Sequence, residues 1–543
     1  MKKDTLIRGT IILAVAALVA RVLGVMQKVP LKHLLGDYGM ATYGIAYNIY
    51  FVLLIVATAG IPSALSKLIS ERLETGRPDD AARIYRAAVV FALSGGILIA
   101  ALLFIFAPVY AEWADDPDAS LAIRALAPAL TIFPLIAIMR GYFQGLQYMT
   151  AGGLSQIFEQ ILRVLTAVLL AWLLLALGFS HRAAVAGASF GGVMGAVAAL
   201  AVMLYYSAKF RKAGGLAAAA RPAGEAGGRP AAGAGGGLTM TESYKLIFAY
   251  SIPITFAAMA VPLINVIDSS TAIPLLKGAL GFEEAKVSLG ILTGRAQSLA
   301  GIPVILAIAL SQSAIPVLSS AFARGDLDEV GRKASQAMWL SVVAGLGTVV
   351  VMAAAARPVN GLLFGDTEGT DIVFLLILTS MLQIVMMTTS SVMTGLGAMS
   401  RSAVHVYVGI AVKLLLLLLL APRIGMYGLI ASTACCFAVI AVLNLRHIRS
   451  RVRLRVLGRA WAGLAGTSAI AFAAAYAADA LLAAYANRFA PALGYLLHAI
   501  LVCGFAALLY AALLMVFKVA GEEQLAWIPG RLGRWARRLA RLV

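Results

Sequence analysis

Charge is scarce in this chain, and cysteine is nearly absent. Of 543 residues only 13% are charged, whereas 61% are hydrophobic and the mean hydropathy is +0.91. A soluble globular protein needs a more polar surface than this composition provides, which excludes the soluble class. The three cysteines, Cys435, Cys436 and Cys503, all fall in apolar runs. They indicate packing, and they form neither a disulfide framework nor a metal-ligand spacing.

Motifs of soluble catalysis are missing as well. The sequence has no Walker motif, no glycine-rich nucleotide fingerprint and no His or Cys spacing typical of a metal site. An ATP-driven pump on this chain alone is therefore not expected, and no cofactor is predicted. A monovalent cation or a proton remains as a candidate coupling ion.

Long apolar runs are what the chain has in abundance. A helix crosses a bilayer with about 20 mostly apolar residues. We therefore predict an all-α polytopic membrane protein of about fourteen transmembrane helices. The predicted spans are 6–27, 41–69, 84–108, 121–143, 155–177, 182–206, 245–271, 287–316, 334–356, 371–395, 402–421, 425–446, 460–483 and 493–518.

Basic and acidic loops alternate along the chain. The loops after the second, sixth, eighth and twelfth spans are rich in Arg and Lys, whereas acidic clusters stand at 112–118 and 366–371. By the positive-inside rule, both termini are predicted to be cytoplasmic. A net charge of +19 would suggest nucleic acid for a soluble protein. Here the basic loops meet anionic membrane lipids, and no nucleic-acid partner is expected.

Two stretches recur at an offset of about 250 residues, which indicates an internal duplication. Residues 60–83 match 314–332, and 143–165 match 393–415, so that Arg163 corresponds to Lys413. Six spans per copy is an even number, so the copies face the same way and a pseudo-twofold axis runs along the membrane normal. Chance similarity between apolar segments is the alternative.

The domain boundaries follow from this repeat and from composition. Residues 213–238 are almost all Gly, Ala and Pro, which predicts a flexible linker. The C-terminal stretch places Leu and Trp at helical spacing among arginines, which is typical of an interfacial amphipathic helix; a frayed basic tail is the alternative. The predicted domains are a six-helix lobe 1–208, a cytoplasmic linker 209–243, a second six-helix lobe 244–450, helices 13 and 14 in 451–518, and a basic cytoplasmic tail 519–543.

Two arginines inside predicted spans are candidate ligands of an anion. An arginine within a span costs roughly 2.5–3.5 kcal/mol on insertion scales unless it meets water or a partner. Arg21 lies in the first span and Arg295 in the eighth, near the start of each lobe. The planar guanidinium stays charged and donates bidentately, which suits a diphosphate. The alternatives are snorkelling of each arginine to the interface and, for the first span, a secretory signal peptide.

Four further charged residues are candidates for a gate or an ion-coupling site. Glu159 and Arg163 are spaced i, i+4 on the fifth span, and they either neutralise each other or serve such a site. Lys413 occupies the matching place in the second copy. Asp268, in the seventh span, either takes a coupling cation, pairs with an arginine, or caps a helix end.

Polar residues of the second span are candidates for contacts with a saccharide. Asn48, Tyr43 and Tyr47 carry groups that hydrogen-bond sugar hydroxyls. Tyrosine is also common at membrane interfaces, which is the alternative for both tyrosines.

Several stretches together carry a family resemblance. They are ARVLG at 20–24, LLGDYGMATYGIAYNIY at 34–50, TAGIPSALSKLISE at 58–71, MRGYFQGLQYMTAGGLSQIFEQILRV at 139–164 and TGRAQSLAGIPVILAIALSQSAIPVLSSAFARGD at 293–326. With them the chain resembles the multidrug/oligosaccharidyl-lipid/polysaccharide (MOP) exporter superfamily. Within it, the chain resembles the polysaccharide biosynthesis branch that is stage V sporulation protein B-like and related to lipid II flippases.

The resemblance implies a transporter and not an enzyme. Such a protein moves an undecaprenyl-diphosphate-linked saccharide, such as lipid II or a related precursor, to the outer leaflet of the bacterial cytoplasmic membrane by alternating access. It also implies diphosphate contacts at Arg21 and Arg295, a lipid-tail groove at helices 13 and 14, and cell-wall synthesis proteins as partners. Lipid II flippases bear another arginine near the positions of Leu54 and Ile55, so this chain departs from them there. A multidrug/cation antiporter and a non-transporting scaffold are the rival interpretations.

Overall fold

A computed structural model describes residues 6–58, 60–215, 238–454, 456, 458–486 and 490–519, and the regular structure within these ranges is entirely helical. The helices of the first half are α1 (Leu6–Thr58), α2 (Ile61–Glu74), α3 (Pro78–Trp113), α4 (Ala119–Leu126), α5 (Ala129–Gly145), α6 (Met149–Ala176), α7 (His181–Lys212), α8 (Met240–Ala258) and α9 (Ala260–Leu280). Those of the second half are α10 (Phe282–Gly290), a π-helix (Ile291–Ala296), α11 (Gln297–Ala323), α12 (Leu327–Ala354), α13 (Ala356–Phe364), α14 (Thr370–Gly395), α15 (Met399–Ile424), α16 (Met426–Arg449), a 3-10 turn (Gly458–Ala460), α17 (Trp461–Ala486) and α18 (Pro491–Val516).

The predicted all-α polytopic membrane fold is confirmed. Among the described residues, eleven helices are long and apolar enough to cross a membrane, or up to twelve if the bent pair α8 and α9 forms one span. Each of the fourteen predicted spans falls on helical segments of the described residues, and five of them cross a break between successive helices. That the chain crosses the membrane fourteen times remains a prediction.

The first helix continues beyond its predicted end. The predicted spans 6–27 and 41–69 leave residues 28–40 as a connecting loop, yet α1 runs on through Pro30, and its first non-helical backbone is at Gly36 (φ 65°, ψ 176°). Glycine adopts this conformation without a Cβ clash, so it can separate two helical stretches. Arg21 therefore lies near the middle of a continuous stretch, 6–35, of about 30 residues and not one turn from its end.

Helix boundaries repeat along the chain. Helix α5 ends at Gly145 and α6 begins at Met149; α14 ends at Gly395 and α15 begins at Met399, each 250 residues later. The turn is closed by the same backbone bond in both places: Tyr148 N–H donates to the carbonyl of residue 143 at 2.8 Å, and Ala398 N–H donates to that of residue 393 at 2.9 Å. The predicted repeat thus has equivalent helix boundaries and turn geometry in both halves.

Two compact units divide the chain, unit 1 at Met1–Pro274 and unit 2 at Leu275–Val543. Their boundary falls inside α9, whereas composition placed the division of the lobes at the linker 209–243. The predicted domain limits stay predictions. Residues 216–237, most of that linker, and 520–543, nearly all of the predicted basic tail, lie outside the described residues.

Closely spaced glycines bring α7 onto α6 in unit 1. Gly187, Gly191 and Gly195 recur every four residues on one face of α7. A Cβ added at Gly191 would lie 2.8 Å from the Arg163 carbonyl oxygen, and one at Gly195 would lie 2.8 Å from that of Glu159. Small residues allow two membrane helices this close an approach. The backbone of α7 therefore covers the turn of α6 that carries both charges.

In unit 2, glycines likewise allow a close approach between α15 and α16. A Cβ at Gly428 would lie 2.5 Å from the backbone carbon of Leu420, and one at Gly409 would lie 3.1 Å from the carbonyl oxygen of Cys436. The last two helices, α17 and α18, pack on each other and on α12 and α13. Small and β-branched side chains fill part of that interface: Ala354, Ala355, Ala475, Val502 and Ala506.

Candidate functional site

Buried charges cluster between α5 and α6 of unit 1. Glu159 accepts a hydrogen bond from Arg163 Nη2 at 2.9 Å and another from Arg140 Nη2 at 2.8 Å. Glu159 is 4% exposed and Arg163 is 7% exposed. The expected pair is therefore a triad of two cations and one anion, and its formal charge is +1. Sequence reasoning missed Arg140, because it stands on another helix, 19 residues before its carboxylate partner.

A serine extends this charge triad to α7. Arg140 donates to Ser155 Oγ from Nε at 3.1 Å and from Nη2 at 2.9 Å. The Ser155 hydroxyl donates to the carbonyl oxygen of Ala199 at 3.3 Å. Hydrogen bonds thus tie α5, α6 and α7 together around one carboxylate. Removing one partner of such a buried ion pair strongly destabilises the folded protein, because the charge of the other partner is left uncompensated.

A column of aromatic rings stands on α1 beside the triad. Tyr43 stacks on Tyr47 with ring centroids 6.0 Å apart, and Tyr47 stacks on Phe51 at 6.1 Å. Gln27 Nε2 donates to the Tyr43 hydroxyl at 3.2 Å. Tyr43 is buried and Tyr47 is half-buried, so Tyr47 is the more open of the two predicted saccharide contacts. Arg163 lies near both tyrosines.

Arg21 is exposed on α1, and Tyr47 lies near it. One turn further along α1, a Cβ on Gly24 would lie 3.9 Å from Gln160 Oε1 of α6, so this part of α1 leans on α6. The structure therefore brings five of the predicted site residues into one region of unit 1. They are Arg21, Tyr43, Tyr47, Glu159 and Arg163.

Asn48 and Asp268 lie elsewhere in unit 1. Asn48 is 9% exposed, and its Nδ2 donates to the backbone carbonyl of Asn265 at 3.4 Å, which links α1 to α9. Asp268, one turn along α9, is 5% exposed. Asn48 thus already serves a contact between helices in this structure.

A cavity of about 170 Å³ opens beside Arg140. Its polar lining comes from Arg140, Gln144 and Gln156, and Leu13, Met149 and Gly152 complete the wall. Ligand pockets usually measure about 300–1,000 Å³, so this cavity is too small for a saccharide head group. It gives one guanidinium of the triad access to water or to a small anion.

In unit 2, Arg295 is fully buried in the π-helix. It forms an ion pair with Asp366, in which Nη2 donates to Oδ2 at 3.3 Å, and Nη1 donates to the carbonyl of Glu368 at 3.4 Å. Its guanidinium lies 5.7 Å from the centre of the Phe364 ring. The partners belong to the acidic segment between α13 and α14. Single π-turns inside helices are frequent at functional sites.

Lys413 is the buried cation of unit 2 that corresponds to Arg163. It is fully buried on α15, and its Nζ donates to Thr433 Oγ1 at 2.5 Å and to Ser432 Oγ at 3.4 Å, both on α16. The ammonium is thus held by two hydroxyl groups. Gly409 stands one turn earlier, in the register that Glu159 occupies in unit 1.

Comparison with known proteins gives a family and a fold. A family described as polysaccharide biosynthesis protein matches residues 6–322. Lipid II flippase MurJ of Bacillus subtilis (strain 168) is 27% identical over 444 residues, which cover 79% of this chain and 80% of that protein. Stage V sporulation protein B of the same organism is 23% identical over 542 residues, which cover 98% of this chain and 99% of that protein.

Solved structures share the architecture. Lipid II flippase MurJ in an inward closed conformation aligns with a TM-score of 0.64 at 14% identity, over 92% of this chain and 98% of that chain. An inward-facing multidrug resistance MATE family transporter of the MOP superfamily aligns with a TM-score of 0.62 at 16% identity, over 80% of this chain and 94% of that chain. Since the family match spans more than half of the sequence, the protein is a member of the polysaccharide biosynthesis protein family, with the fold of MOP-superfamily transporters.

Proposed function

We propose that the protein is a flippase for an undecaprenyl-diphosphate-linked saccharide, lipid II or a related peptidoglycan or polysaccharide precursor. It moves this lipid from the cytoplasmic to the outer leaflet of a bacterial cytoplasmic membrane by alternating access, with both of its termini in the cytoplasm. Support comes from the family match and from relatives named as a lipid II flippase and a sporulation protein. Anionic membrane lipids and cell-wall synthesis proteins are the further partners in this proposal.

The observation that carries the proposal is Arg21, an exposed arginine near the middle of the apolar helical stretch 6–35. A cation within a membrane-spanning helix is unfavourable unless it meets water or an anion. In the same unit, the triad of Arg140, Glu159 and Arg163 adds a formal charge of +1. A diphosphate supplies the opposite charge together with acceptor oxygens that fit an arginine fork.

Arg295 is the second proposed diphosphate ligand, and its present partner is Asp366. We propose that substrate phosphate replaces this carboxylate during the cycle, which would release the acidic segment between α13 and α14. In the same proposal, Glu159 and Arg163 form a gate, while Asp268 and Lys413 remain candidates for ion coupling. Tyr43, Tyr47 and Asn48 are proposed saccharide contacts, with Tyr47 the most accessible of the three.

A leaflet-accessibility assay with lipid II in proteoliposomes tests the proposal. Charge-assisted hydrogen bonds contribute about 1.5–3 kcal/mol each, so Arg21→Ala and Arg295→Ala should each slow translocation by roughly 10- to 100-fold. Arg324→Ala is the matched control, because Arg324 is an exposed arginine paired with Glu329. If both site variants translocate lipid II at the wild-type rate, the diphosphate role is wrong.

A multidrug/cation antiporter is the second candidate, because the MATE transporter aligns almost as well as the flippase does. The fold alone does not separate the two functions. The same proteoliposomes, loaded with a lipophilic cation, distinguish the two functions. Export of the cation without movement of lipid II favours the antiporter, whereas failure to move either one favours a scaffold.

A further inference from the structure

Two ionisable side chains meet between the last two helices. Asp479 of α17 and His498 of α18 are 6% and 4% exposed, and Nε2 of the imidazole lies 3.0 Å from Oδ1 of the carboxyl group. Both helices are apolar enough to cross a membrane. Ionisable residues inside such helices are rare and usually functional. This pair plays no part in the site of unit 1 or around Arg295.

The geometry of the pair leaves room for a shared proton. His498 Nε2 also lies 3.2 Å from the backbone carbonyl oxygen of Asp479, and it meets that oxygen with hydrogen-bond geometry. Asp479 Oδ1 is buried and has no hydrogen bond within the described part of the chain. A carboxylate oxygen thus faces a ring nitrogen at hydrogen-bond distance. One proton held between these two atoms would satisfy both groups.

Among the described residues, few other charges lie near this pair. Arg357 of α13 is exposed and interacts electrostatically with Asp479. The other titratable groups nearby are Tyr476 on α17 and both Tyr495 and Cys503 on α18. Residues 334–354 of α12 and 372–395 of α14 contain no ionisable side chain. Imidazole is the side chain whose charge ordinarily changes nearest to neutral pH, so this pair is the candidate among these groups for exchanging a proton.

We propose that Asp479 and His498 form a one-proton binding site whose occupancy controls the packing of α18 on α17. With the proton bound, the pair is neutral overall, whether it exists as carboxylate and imidazolium or as carboxylic acid and imidazole. Without the proton, a buried carboxylate faces a neutral ring, and the interface is weakened. The site would supply a coupling proton to transport, and this last link alone rests on the proposed flippase function.

Solution NMR of protein with ¹³C-labelled histidine, in lipid nanodiscs, tests the site without any transport measurement. A signal that His498→Gln removes should titrate between pH 5 and 9. Asp479→Asn should displace its midpoint by about tenfold in proton concentration or more, since a neighbouring charge shifts a titration by 1–3 pH units. Asp118→Asn, at an exposed carboxyl group beside Arg182, is the matched control and should leave it unchanged. A His498 signal that does not titrate, or has the same midpoint in Asp479→Asn, overturns the proposal.

Hydrogen–deuterium exchange of the wild-type protein gives a second test that needs no stable variant. After correction for intrinsic exchange rates, α17 and α18 should lose protection several-fold between pH 6 and pH 9, whereas α6 and α7 should not. Equal protection of α17 and α18 at both pH values contradicts the proposal. Because neither experiment uses lipid II, the proton site can fail while the flippase function stands, and the reverse also holds.

Discussion

Arg163 in unit 1 and Lys413 in unit 2 occupy the same place in the internal repeat, but their surroundings differ. Arg163 donates to the carboxylate of Glu159, which also accepts from Arg140. Lys413 donates to the hydroxyls of Ser432 and Thr433. The helix boundaries and the turn before each cation are the same in both halves. The backbone has thus kept its repeat while the charge chemistry has changed.

The difference shows how each half accommodates a buried cation. In unit 1, glycines of α7 bring its backbone against α6, and the cation pairs with a carboxylate on α6 that it shares with Arg140 of α5. In unit 2, the helix that faces the cation carries hydroxyl groups, and Gly409 takes the place of the acid. An ionic network is sensitive to the loss of one member, whereas hydroxyl groups that accept from a cation are neutral and can keep other hydrogen bonds when it is replaced. The two halves should therefore respond unequally to substitution.

The largest loss of stability is expected from Glu159→Gln. This change leaves Arg163 buried without its carboxylate and should destabilise unit 1 by about 3–5 kcal/mol. Thermal unfolding in detergent, followed by intrinsic fluorescence, measures it. Glu329→Gln is the control at a more exposed pair with Arg324, where less than about 1 kcal/mol is expected. Equal shifts of the unfolding temperature in the two variants would show that the triad stabilises the protein no more than the more exposed ion pair does.

An intermediate effect is expected from Gly195→Val on α7. A Cβ there would lie 2.8 Å from the carbonyl oxygen of Glu159 and 2.9 Å from Arg163 Cβ, so α7 must move away from α6. Overpacking of this kind costs about 1–3 kcal/mol. Cys436→Ala makes a buried side chain of α16 smaller instead of larger; it serves as the comparison in unit 2 and should cost about 1 kcal/mol or less. A Gly195→Val protein as stable as the wild type would contradict the close approach of α7 to α6.

The smallest effect is expected from Lys413→Met. Ser432 and Thr433 also donate to the carbonyl of Leu429, so their hydroxyls keep an acceptor when the ammonium is lost. Replacing a buried charge by an apolar side chain of similar volume is often neutral, and a change below about 1.5 kcal/mol is expected in thermal unfolding. A loss as large as that of Glu159→Gln would mean that the two cations are held alike.

Sequence reasoning recovered the fold, because span length and apolar character are local properties that a single stretch reveals. It failed at residues 28–40, where charged residues suggested a loop. There Lys32 and Asp37 are buried in unit 1, and the helix continues to Gly36. Tertiary burial of polar groups is not visible in a local pattern.

The candidate site was recovered only in part, for the same physical reason. Glu159 and Arg163 are one helical turn apart, so their contact follows from spacing alone. Arg140 meets Glu159 across two helices, and His498 likewise meets Asp479, each over a separation of 19 residues. The pairing of Arg295 with Asp366 spans 71 residues. Such contacts depend on how helices pack, and no single stretch of sequence encodes them.

Binding of undecaprenyl diphosphate to the purified protein tests the central claim most directly, because it isolates the role of Arg21 from the transport cycle. Native mass spectrometry or a fluorescence titration in detergent can measure the affinity. Arg21→Ala should bind the lipid at least tenfold more weakly than the wild type, and Arg324→Ala should bind it equally well. Equal affinities of Arg21→Ala and the wild type would contradict the claim that this arginine holds the diphosphate.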